Sequence, residues 1–149
     1  MFYSLRADQR GKGLIVMREQ RAGSWPITDD LPAQREQVHR HAARAGLRGQ
    51  RLDDLVLAFS EAASNVLEHA HGRGSVTVWH SLTDVVVEVT DHLGRLSPGH
   101  RPRPPLHARS GYGLWLMGRL CDELVIAQGV GRSSVRLRMR TGDDADLRR

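Results

Sequence analysis

Between residues 52 and 70 apolar side chains recur three or four positions apart, at Leu52, Leu55, Val56, Phe59, Ala62, Ala63, Val66, Leu67 and Ala70. Residues so spaced share one stripe of an α-helix, so the pattern predicts a helix buried along that stripe and ended by Gly72 and Gly74. Two β-branched runs follow, 75–81 and 85–90, with Leu82, Thr83 and Asp84 as the turn between them. A shorter helix precedes, starting near Pro32 with Asp29 and Asp30 at its positive end and stopping before Gly46. Residues 111–120 read as a helix entered through glycines. Residues 123–128 and 134–140 read as a hairpin whose Val135, Leu137 and Met139 point inward.

The remaining stretches lack either period. Residues 21–30 hold Gly, Ser, Pro and two Asp and predict a loop; residues 13–20 predict a short strand, and 1–12 fit neither pattern. Residues 92–110 carry four prolines among many basic residues, which predicts a long mobile loop. The order is helix, helix, hairpin, loop, helix, hairpin. It implies an α+β fold, a two-layer α/β sandwich with helices covering one face of a mostly antiparallel sheet. Residues 25–140 form the domain, with 1–24 as an N-terminal extension and 141–149 as a polar tail.

Composition narrows the class. At 149 residues, 40% of them apolar, the chain builds one core. Its one cysteine, Cys121, excludes an intramolecular disulfide and a cysteine-rich zinc site, which suits a reducing, cytoplasmic setting. Neither a signal-peptide pattern nor a run of roughly 18 apolar residues is present, so no membrane role is expected. The net charge of +5 favours acidic partners, nucleotide phosphates among them. With no aromatic stacking surface and no recognisable DNA-reading helix, direct nucleic-acid binding is not expected.

Several side chains carry possible chemistry. Glu61 and Asn65 stand at i and i+4, off the apolar stripe. An Asn oxygen can ligate Mg²⁺, and a Glu can orient or deprotonate a hydroxyl; a solvated helix pair is the competing reading. Asp91 follows Val85, Val87 and Val89 in period two, which puts an acid on the core face at a strand end. There it either accepts from a ligand amine, such as that of adenine, or turns out to solvent. Gly111 and Gly113 open a helix where backbone N–H groups attract anions, with Arg109 just before them; a plain turn and a surface arginine are the alternatives. His39 and His41, like His69 and His71, lie two apart and do not face each other, which argues against zinc. Cys121, at the end of an apolar helix, reads as packing.

These segments stand in a familiar order. SEAASNVLEHAHG resembles the N box of the GHKL (Bergerat-fold) ATPases, and VVVEVTD followed by Gly94 resembles their G1 box. GYGLWLMGRLCDELVI is similar to the G2 box and following segment of the anti-sigma regulatory kinases, and GRSSVRLRM to their closing strand. The resemblance spans roughly residues 25–140. It implies ATP and Mg²⁺ as cofactors, with Glu61 as catalytic base and Asn65 as metal ligand. Asp91 would hold the adenine amine and Gly94 would serve the G1 turn. Gly111, Gly113 and Arg109 would meet phosphates under a lid of residues 95–110, and Ser133 would support the adenine end. It further implies a protein serine/threonine kinase that phosphorylates an anti-anti-sigma antagonist of the STAS type and binds a sigma factor, and a homodimer, which members often form. With only about 25 residues ahead of the resemblance, the phosphoacceptor helices of a histidine kinase are not expected. One departure stands out: Leu93 occupies the place of the first G1 glycine, where a positive φ is often needed. It supports the alternative of a binding module that sequesters a sigma factor or antagonist without turnover.

Overall fold

A computed structural model describes residues 3–7, 14–94 and 112–142. The apolar stripe of the central helix is buried as its spacing requires. Leu52, Leu55, Ala58, Phe59, Ala62, Ala63 and Val66 of α2 (Gly49–His69) all face the core. Before it runs α1 (Leu31–Arg44), whose first turn is capped by Asp30, the Oδ1 accepting from the Ala33 N–H at 3.2 Å. Arg35 of α1 donates to the Ser60 hydroxyl of α2 at 3.3 Å.

Five antiparallel strands form the sheet beneath these helices, in the order β3 (Gln20–Pro26), β4 (Gly74–His80), β5 (Asp84–Asp91), β7 (Arg132–Arg140), β6 (Glu123–Gly129). The short helix α3 (Tyr112–Leu120) packs beside α2 and β6. Register stacks the inward residues in rows across the sheet. Val78, Val87, Leu137 and Leu124 make one row, and Val76, Val89, Val135 and Ile126 the next. These rows and the apolar faces of α1, α2 and α3 build a single core, the α+β sandwich that the pattern implies.

One expectation needs correction, and another holds with trimmed bounds. Residues 20–26 are not a loop but the edge strand β3, paired with β4 along Gln20↔His80 to Pro26↔Ser75. Gly23, Ser24 and Pro26 suggest a turn, yet an edge strand needs hydrogen bonds on one side only. The register shift between Arg21 and Gly23 is a bulge, which such residues accommodate. Trp25 anchors the strand by stacking on His41 of α1, with ring centroids 5.4 Å apart. The predicted strand over 13–20 is really β2 (Leu14–Arg18), which pairs with β1 (Tyr3–Ala7) in a separate two-stranded sheet; Glu19 divides it from β3.

Candidate functional site

The core rows end on a polar row. One step beyond Val76, Val89, Val135 and Ile126, the register pairs Gly74 with Asp91, Asp91 with Ser133 and Ser133 with Gln128. Asp91 and Ser133 are each 1% exposed. A carboxylate at that depth needs donors, and one is local: Leu93 N–H donates to Asp91 Oδ1 at 2.7 Å, closing a turn of the kind Asp side chains make with the backbone two residues on. Gln128 escaped sequence reasoning. It enters only through the hairpin register, which aligns it with Ser133.

The turn after Asp91 explains Leu93. Leu93 packs against the core and is not in the left-handed region, whose one non-glycine occupant among the described residues is His71. Gly94, one place later, takes the positive φ of 66°. A methyl on Gly94 would lie 3.1 Å from the Arg132 N, so this glycine also seats the turn against the β6–β7 hairpin.

Glu61 and Asn65 lie on the half-buried flank of α2, facing the start of α3. A methyl placed on Gly113 would sit 3.4 Å from Asn65 Nδ2 and 3.5 Å from Glu61 Oε2. The pair is partly exposed and borders the start of α3. Its polar ends converge on bare backbone at a helix start, a cradle that any side chain at Gly113 would begin to fill. That fits a divalent cation and phosphates: oxygen ligands from α2, backbone N–H groups from α3. The two halves meet at one end of the molecule. Val66, next to Asn65, packs so closely on Gly74 that a methyl there would lie 2.7 Å from its Cγ1. Gly74 in turn pairs with Asp91. Arg109, Gly111 and the lid expected over 95–110 lie outside the described residues.

Beyond this site, three elements meet at Asp122, also missed by sequence reasoning. Its Oδ2 accepts from the Arg140 N–H at 2.8 Å and pairs with the Arg51 guanidinium of α2. Burial alone would raise its pKa, but the Arg140 N–H and the Arg51 side chain outweigh that and hold the carboxyl below its ordinary value. Neighbouring Cys121 is buried, and desolvation, with Asp122 and Asp54 nearby, pushes its thiol up to about 12. Such a thiol is inert near neutrality, as its packing role suggests. None of the described helices is long and apolar enough to cross a membrane.

A family model described as the histidine kinase-like ATPase domain matches residues 26–139. Among solved structures, the chain is similar to the RsbU and RsbW domains of Rv1364c from Mycobacterium tuberculosis, with a TM-score of 0.60 and 21% sequence identity. The match covers 83% of this chain and 32% of that one, so the chain spans about a third of the length of that protein and shares its fold. No curated protein matches the chain.

Proposed function

The chain belongs to the histidine kinase-like ATPase domain family, and from that membership we propose that it is an ATP-binding anti-sigma regulator with protein serine/threonine kinase activity. Its substrate would be a hydroxyl of a small anti-anti-sigma antagonist of the STAS type, and it would also bind a sigma factor. The observation that carries this reading is the convergence of Glu61 and Asn65 on the backbone of Gly113, at the end of the molecule where Asp91 and Ser133 lie buried.

Each residue has a role suited to its chemistry. The Asp91 carboxylate accepts from the adenine amine, and Ser133, its register partner, supports that end. Gly94 sets the turn that keeps Asp91 in place. Asn65 offers an oxygen to Mg²⁺, while Gly111 and Gly113 let backbone N–H groups meet phosphate oxygens beside Arg109. Glu61 takes the proton from the incoming serine or threonine hydroxyl. Bound Mg²⁺ would neutralise charge on the phosphates during transfer.

The alternative, a module that sequesters a partner without turnover, draws on Leu93. Its weight falls because Gly94 supplies the positive φ and Leu93 keeps an ordinary backbone. Labelled ATP and a STAS-type antagonist test the kinase. Glu61→Ala should lower transfer by roughly 10²–10⁴-fold, the usual general-base contribution, with ATP affinity little changed. Asn65→Ala should weaken Mg²⁺-dependent binding and transfer together. Full transfer by the Glu61 variant would remove Glu61 as base. Wild-type protein that binds a sigma factor and ATP yet transfers nothing would establish the binding module.

A further inference from the structure

The sheet has a second face, opposite the helices, and it is not built like a solvated one. Register lays Arg21, Trp79, Val86, Arg138 and Glu123 in one row across all five strands of that face. Trp79 is 7% exposed and Val86 1%. Arg21 stacks over the Trp79 ring at 5.2 Å, which covers one side of one residue. Arg138 beside Val86 is tied to Glu19 at 2.7 Å, Glu123 at 3.5 Å and Asp84 at 3.7 Å. In the neighbouring row Arg136 pairs with Glu88 at 2.5 Å. An apolar centre of Trp and Val inside a ring of ion pairs is the anatomy of a covered surface.

The chain itself says where the cover starts. Glu19 is 4% exposed and bound to Arg138, so the polypeptide entering β3 already lies over this face. The residue before Glu19 is Arg18, the last of β2. The β1–β2 register, Tyr3↔Arg18, Leu5↔Val16 and Ala7↔Leu14, groups Tyr3, Leu5, Ala7, Leu14 and Val16 at positions on one side of the ribbon, with Arg18 at its end. Ser4, Arg6, Ile15 and Met17 fall on the other. A two-stranded ribbon is marginal in water by itself and needs a surface to bury its apolar side.

We propose that the β1–β2 ribbon, Tyr3–Ala7 paired with Leu14–Arg18, is a strap over the outer face of the sheet in cis, with the Leu5/Val16 positions on the side toward Trp79 and Val86. The chain thereby shields a sheet face that a bare domain would offer to other proteins.

Hydroxyl-radical footprinting of the full chain tests this, because it reads oxidation at Trp79 separately from Trp25 and Trp115. Trp79 should oxidise slowly in the native protein. Val16→Asp puts a charge on the covering side and should speed Trp79 oxidation several-fold, while Ile15→Asp, one residue away on the opposite side, should not. A chain beginning at Glu19 should match Val16→Asp; far-UV circular dichroism on each variant separates loss of cover from loss of fold. Fast oxidation of Trp79 in the native chain overturns the strap. So does continued protection in a folded Val16→Asp protein. Protection that disappears on dilution would assign the cover to a second copy and overturn closure in cis.

Discussion

Leucine where a glycine is expected can mean a lost function or a shifted turn, and the backbone here has the geometry of a shifted turn. Asp91 Oδ1 holds the Leu93 N–H at 2.7 Å, and the left-handed residue comes next, at Gly94. The conformational demand has moved by one position, and Leu93 spends its side chain on the core. Gly94→Ala should therefore be the harmful change. It places a Cβ 3.1 Å from the Arg132 N and forces a left-handed alanine, which costs roughly 1–2 kcal/mol. The displaced Asp91 should show as weaker ATP binding in calorimetry. Leu93→Gly should bring no gain in affinity and some loss of stability through lost packing. Tighter ATP binding by Leu93→Gly would mean that the leucine does obstruct the site.

Between elements, the tie at Asp122 is one whose strength pH can tune. It joins α2, through Arg51, to the start of β6 and the end of β7. The carboxyl is depressed in the folded chain, so its contribution is present above its unfolded pKa, about 3.9, and is lost as pH falls through the lower folded value. Asp122→Asn should cost about 1.5–3 kcal/mol at pH 7, the range for hydrogen bonds to a charged group. In denaturant titrations the gap between variant and wild type should shrink steadily below about pH 4. A gap that stays constant down to pH 2 would deny the carboxylate this role. No sequence period announces such a tie, because its partners are 71 and 18 residues apart. The periods did announce α2, β4, β5 and β7, whose apolar positions repeat cleanly. β3 stayed hidden because an edge strand with a bulge carries the residues of a turn, and because its anchor is a Trp25–His41 stack between distant segments.

Across the whole molecule, the candidate site lies where the core stops. Two apolar rows of the sheet give way to the row Gly74, Asp91, Ser133, Gln128, and over that end α2 and α3 present Glu61, Asn65 and Gly113. The individual residues are legible in the sequence as boxes in order. Their meeting is not, since it depends on register, on the Val66–Gly74 contact and on the approach of α3 to α2. A ligand bridging these parts should stabilise the domain as a unit. ATP with Mg²⁺ at a hundred times its Kd should add about 2.7 kcal/mol to global stability. For a domain of this size that is a rise in Tm of roughly 5–10 °C. Omitting Mg²⁺ should reduce the rise, because Asn65 then has no metal to hold. Asp91→Asn keeps an oxygen for the Leu93 N–H while replacing a carboxylate acceptor with an amide. Measured against the variant's own ligand-free Tm, most of the nucleotide-induced rise should vanish, as expected for a charged hydrogen bond of about 1.5–3 kcal/mol. If millimolar ATP with Mg²⁺ leaves the wild-type Tm unmoved, the bridging site does not exist. If Asp91→Asn keeps the full rise, the adenine is held elsewhere.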